Sequence, residues 1–106
     1  MLNKRFFKTK DTCRVTFELP QELETELGER IHQVAVVGEF NNWSQQADLM
    51  KKARGGTWKT QLELETGREY QFRYLVNGAE WCNEWQADKY VPNNIDGDNS
   101  VVVTSL

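Results

Sequence analysis

The chain has 106 residues, enough for one domain and one core but not for two. Its 13 Lys and Arg stand against 16 Asp and Glu, and a net charge of −3 argues against a general nucleic-acid binder. Mean hydropathy of −0.70 with 11% aromatic residues describes a soluble globular domain, and no apolar run approaches the ~18 residues of a membrane-spanning helix.

Residues 1–11 are basic, with Lys4, Arg5, Lys8 and Lys10, and read as a frayed N-terminal arm, with an edge strand as the alternative, ahead of a single domain over 12–106. This start lacks the roughly 7–15 apolar residues of a secretory signal, so a cytoplasmic protein is expected. Cys13, Val15, Phe17 and Leu19 alternate with polar residues and predict a half-buried strand stopped by Pro20. The Glu-rich stretch from Gln21 to Glu29 has apolar anchors for one helical turn at most. Val34 to Val37 is a short apolar run ended by Gly38, as in a strand covered on both faces. Trp58, Thr60, Leu62 and Leu64 alternate between the Gly55-Gly56 and Gly67 turns, which places Trp58 in or at the edge of the core. Tyr70, Phe72, Tyr74 and Val76 form the next inward row, with Arg73 on the opposite face, and Asn77-Gly78 is a type I′ hairpin signal. Val101 to Thr104 closes the chain as a last strand. Six or seven short strands with turn residues between them predict an all-β, immunoglobulin-like antiparallel β-sandwich.

Catalytic chemistry finds little purchase. The single histidine, His32, has no nucleophile placed to pair with it, and Cys13 and Cys82 are too scattered for a disulfide framework or a metal site. They read as free, partly buried thiols. Asp96-Gly97-Asp98 has too few ligands for a calcium loop and reads as a turn. No cofactor is expected.

The tryptophans stand apart. Trp43 follows a predicted strand, and Trp81 and Trp85 follow the hairpin, none of them in phase with the core. An exposed indole is favourable only with a flat partner over it, and the C–H face of a pyranose is one such partner. Arg73, facing outward, and Asn99, opening the last strand, supply hydrogen bonds of the kind sugar hydroxyls take. Glu80, Glu84 and Asp88 around the rings favour a neutral ligand over a phosphate backbone.

These residues carry a family likeness. Val36-Val-Gly38-Glu-Phe-Asn-Asn-Trp43 resembles the "G-x-F-N-x-W" signature of family 48 carbohydrate-binding modules, the isoamylase N-terminal or early-set domains. Tyr70 to Gly78 is similar to the family's "Y-x-[FY]-[KR]-[FY]-x-V-[DN]-G", and Gly97 to Val103 to its "G-x-x-N-S-V-[IV]-x-V". The likeness spans Val15 to Thr104 and extends to the glycogen-binding domain of the AMP-activated protein kinase beta subunit. It implies an early-set sandwich in which Trp43 and Trp81 stack on glucose rings. Arg73 then stands where the family has a sugar-bonding lysine, and Asn99 contacts hydroxyls. One extra residue before Trp81 leaves Trp85 as the other candidate for the second ring, and Asp88-Lys89 stands where the family has Asp-Pro.

The expectation is a stand-alone, non-catalytic module for α-glucan (glycogen, starch or maltooligosaccharide), with no nucleic-acid or membrane partner and with a separate glycogen-metabolism enzyme as a second candidate partner. The alternative is a protein-interaction domain of the same fold that has lost sugar binding and partners such an enzyme in trans.

Overall fold

The computed structural model describes residues 2–20 and 22–105. Met1 and Gln21, where the predicted arm and the Glu-rich stretch begin, and Leu106 at the chain end lie outside the described residues. Strands β1 (Leu2–Phe7), β2 (Thr12–Leu19), β4 (Lys51–Lys52) and β5 (Trp58–Glu65) make one antiparallel sheet in the order β1-β2-β5-β4. Strands β3 (Val34–Gly38), β6 (Glu69–Val76), β8 (Lys89–Pro92) and β9 (Asp98–Val103) make the other in the order β3-β6-β9-β8, with β7 (Glu80–Cys82) also paired to β6. The early-set, immunoglobulin-like β-sandwich is the observed fold.

The inward rows predicted by alternation form the core between the sheets. Val15, Phe17 and Leu19 of β2 and Trp58 and Leu64 of β5 meet Val34, Val36, Phe72, Tyr74, Val76 and Val102 of the other sheet. Phe17 and Phe72 pack edge-on with centroids 5.1 Å apart, and Phe72 and Tyr74 do the same at 5.7 Å. Strand β3 is buried on both faces, because Ala35 and Val37 form a second cluster with Leu75 on the outer face of the five-stranded sheet. The Glu-rich stretch makes one short helix, Leu23–Leu27, held by buried Leu23 and partly buried Leu27 and capped by Gly28 at φ 70°. Both cysteines are free, and burial pushes both thiols above their ordinary value.

The N-terminal segment is no frayed arm. Leu2 to Phe7 pairs with Phe17 to Thr12 and forms the edge of the four-stranded sheet. Its alternation was hidden because Lys4 occupies an inward-row position between Leu2 and Phe6, both of which pack against the core. The Lys4 ammonium reaches Asp88 at 2.6 Å, which lets a charged side chain lie along an apolar edge. Strands β4, β7 and β8 are two to four residues long, too short for a period-two signal.

The hairpin after β6 is built as its sequence implies, with Asn77 and Gly78 at φ 53° and 69°. Asn77 does more than turn. Its Oδ1 accepts from the backbone N–H of His32 and Gln33 at 2.6 and 3.1 Å, and its Nδ2 donates to the Arg30 carbonyl at 2.8 Å. Asn77→Ala loses these three bonds at a left-handed position. It is expected to destabilise the fold by about 2 kcal/mol, seen as a lower urea midpoint with an unchanged slope.

Candidate functional site

Strand β6 has a handover on one edge. Phe72 pairs with Gly38 of β3 on one side and with Ser100 of β9 on the other, whereas Tyr74 pairs with Val36 and with Cys82 of β7. Strands β9 and β7 therefore follow one another along the same edge of β6, and Arg73 sits where one gives way to the other. Its side chain points to the outer face, the face shared by Leu75 and its β7 partner Trp81. Asn99, one residue before Ser100, lies on that face from the β9 side.

Trp43 arrives from the other direction. Gly38 ends β3 so close to β6 that a Cβ there would lie 2.6 Å from the Gln71 carbonyl oxygen and 2.7 Å from Phe72 Cβ. Phe40 turns inward against Phe17, Tyr70 and Phe72. Asn41 clamps the turn: its Oδ1 accepts from Gly38 N–H at 3.1 Å, and its Nδ2 donates to the Val36 carbonyl at 3.0 Å and to Asp48 at 2.8 Å. Asn42 and Trp43 then follow at φ 57° and 59°, and Trp43 N–H donates to the Gly38 carbonyl at 2.8 Å. A tryptophan held in the left-handed region costs about 1–3 kcal/mol, strain that folds concentrate at functional positions. Its result here is an indole left 40% exposed.

Trp43, Arg73, Trp81 and Asn99 thus line one shallow hollow of about 410 Å³, joined by Asn93, Ile95 and Asp96 from the β8–β9 turn. Trp81 is 38% exposed, and the Arg73 guanidinium carbon lies 5.7 Å from its ring centroid. Arg73 Nη1 donates to both Asp96 carboxylate oxygens, at 2.9 and 3.0 Å. Asn93 orders the turn, accepting from the N–H groups of Ile95 and Asp96 and donating to Asp96 at 2.9 Å and to Asn99 Oδ1 at 3.1 Å. Asn99 is buried, and its Nδ2 donates to Gln71 Oε1 at 3.0 Å, so it forms the floor rather than the rim.

The extra residue before Trp81 is taken up in the turn, since Asn77, Gly78 and Ala79 separate the paired Val76 and Glu80. Trp81 lies in the hollow with Trp43, and Trp85 lies elsewhere. Trp85 lines a separate hollow of about 140 Å³ with Glu18, Pro20 and Thr57. The reason is Glu84, whose side chain turns inward and is buried. Its Oε1 accepts from the Tyr74 hydroxyl at 2.9 Å and its Oε2 from Gln86 N–H at 2.9 Å. Burial and the Glu84 charge hold the Tyr74 phenol well above its ordinary 10.0. The Glu84 backbone is also held, its N–H donating to Ser100 Oγ at 2.9 Å and its carbonyl accepting from the Tyr90 hydroxyl.

Sequence reasoning missed Asn93, Ile95 and Asp96 as lining residues. Ile95 is 90% exposed, and its place as an apolar residue between Asn94 and Asp96 in a turn is the one signal by which it could be found. The hydrogen bond from Arg73, then that from Asn93, holds the Asp96 carboxyl below its ordinary 3.8. A depressed carboxylate contributes its stabilisation above its ordinary pKa and loses it as pH falls through the lowered one. The Arg73–Asp96 pair is therefore intact across neutral and mildly acidic pH. Ligand affinity at this hollow is expected to be flat from about pH 8 down to about pH 5, checked by titrations at each pH.

Among the described residues no three His, Cys, Asp or Glu side chains cluster as a metal site, and no helix is long and apolar enough to cross a membrane. No curated protein matches the chain. The family profile described as the glycogen recognition site of AMP-activated protein kinase matches residues 26–104, from the end of the short helix through β9 and containing every residue of the hollow. The chain belongs to that family of carbohydrate-binding modules.

Proposed function

We propose that the hollow on the outer face of the five-stranded sheet binds α-glucan, with glucose rings stacked on Trp43 and Trp81. The observation that carries this reading is the convergence of two half-exposed indoles, from segments nearly forty residues apart, on one hollow that neither ring is needed to fill as core. Stacking on an indole desolvates the C–H face of a sugar, and Ile95 offers further apolar surface in the same hollow. Arg73, Asn93 and Asp96 supply donors and acceptors for hydroxyls, and the guanidinium is pre-oriented by its carboxylate and by Trp81. Arg73 and Asp96 neutralise one another, which suits a neutral polyol.

Two stacked rings with a few hydrogen bonds give weak to moderate affinity, about −4 to −7 kcal/mol, or roughly millimolar to 10 µM. The module acts by binding, not by turnover, and recruits glycogen-metabolism chemistry carried by another protein. Co-sedimentation with glycogen tests this. The protein is expected in the pellet and released by millimolar maltoheptaose. Protein that stays in the supernatant would leave the same fold as a protein-interaction domain, and new reducing ends in repurified samples would make it an enzyme.

A further inference from the structure

The opposite sheet carries a feature that sugar binding does not use. Strand β1 pairs with β2 alone, so one row of its backbone donors and acceptors has no strand beside it among the described residues. Arg5 of β1 stands directly opposite Arg14 of β2, a like-charge cross-strand pair that ordinarily destabilises a sheet. Both guanidinium carbons lie over the Phe7 ring, at 5.3 and 5.0 Å from its centroid, and the Lys10 ammonium is 5.6 Å from it. Glu63 is the acid that meets this group, 3.7 Å from Arg14 and 3.9 Å from Lys10, and no ion pair reaches Arg5 among the described residues. Three cations thus face one carboxylate on a protein whose net charge is −3. Beside them is a hollow of about 160 Å³, lined by Asn3, Arg5, Arg14, Thr16 and Gln61 together with Lys4, which is held by Asp88.

We propose that the β1 edge is a docking site for an acidic, extended segment of a partner protein, which adds to the sheet as a further strand. Side chains on one face of a strand recur about every 6.8 Å, so carboxylates at neighbouring alternate positions of the added strand fall beside Arg5 and the cation-bearing Phe7, whereas Asn3 is already met by Glu18 at 3.5 Å. Charge selects the partner. A second copy of this chain pairing through its own β1 would add another Arg5, Arg14 and Lys10 to the same edge and is repelled, while an acidic strand relieves the Arg5–Arg14 repulsion. This surface lies on the four-stranded sheet, away from the hollow lined by Trp43 and Trp81 on the other, so it is independent of the sugar reading.

The test is an NMR titration of the full chain with a decapeptide of alternating Glu and Thr, with the Lys-for-Glu peptide and inorganic phosphate as controls. The acidic peptide is expected to shift the amides of residues 2–7 and slow their hydrogen exchange, and to weaken with added salt. Arg5→Glu is expected to lower its affinity at least tenfold and Arg5→Gln by less, both leaving maltoheptaose affinity unchanged. Three results would overturn the proposal: silence at millimolar peptide, unaltered affinity in Arg5→Glu, or equal shifts with phosphate and no slowing of exchange, which marks an anion patch only.

Discussion

Trp43→Ala and Trp81→Ala are each expected to weaken maltoheptaose binding by about 10- to 100-fold, with the fold intact. The magnitude follows from the ~1.5–3 kcal/mol gained when an aromatic side chain is covered by an apolar partner. Both rings are well exposed without ligand, so their removal should cost less than about 1 kcal/mol of stability. Trp81→Ala is expected to be the more damaging of the two, because it also frees the Arg73 guanidinium from the ring it lies over. Trp85→Ala separates this account from one based on tryptophan content alone. Its ring lines a different hollow, and its loss should leave maltoheptaose affinity unchanged in calorimetric titration.

Gly38→Ala is expected to be the most destabilising small substitution in the site region. The added methyl would meet the Gln71 carbonyl and Phe72 Cβ well inside contact distance, and both belong to the central strand of the sheet. The backbone of Gly38 is extended, so the need for glycine is one of space and not of dihedral angle. Overpacking of this kind costs about 1–3 kcal/mol. For a domain of this size that lowers the melting temperature by roughly 4–8 °C per kcal/mol. The same shift moves the carbonyl that accepts from Trp43 N–H, so glucan affinity should fall at temperatures where the variant is still folded. A variant as stable as the parent would show that β3 and β6 can separate here at no cost.

How far the chain could be read from its residues depended on whether a side chain's role was set locally. The inward rows Val15-Phe17-Leu19 and Phe72-Tyr74-Val76 declare themselves by alternation, and the sandwich follows from them. The motif around Gly38 and Trp43 was recognisable, but its physical basis was not: the glycine answers to β6, more than thirty residues away. The choice between Trp81 and Trp85 turned on one residue of register. In the structure the three-residue turn leaves Trp81 beside Trp43, and Glu84, buried against Tyr74 and not beside the rings, leaves Trp85 in another hollow. Lys4 weighed against the edge-strand reading of β1 because an inward lysine breaks the pattern, and nothing near it in the chain announces Asp88, eighty-four positions later. Asn93, Ile95 and Asp96 reach the hollow through the β8–β9 turn, and β8 is too short and too exposed to have been foreseen.

The central claim is that Trp43 and Trp81 together make the sugar site. A maltoheptaose titration followed through the indole N–H signals in two-dimensional NMR addresses it most directly, since Trp43 and Trp81 report on one hollow, Trp85 on another and Trp58 on the core. Trp43 and Trp81 should move together along one saturating curve, with Arg73, Asn93 and Asn99 amides following, while buried Trp58 and Trp85, in its separate hollow, stay still. Four unmoved indoles at millimolar sugar, or a response centred on Trp85, would contradict it.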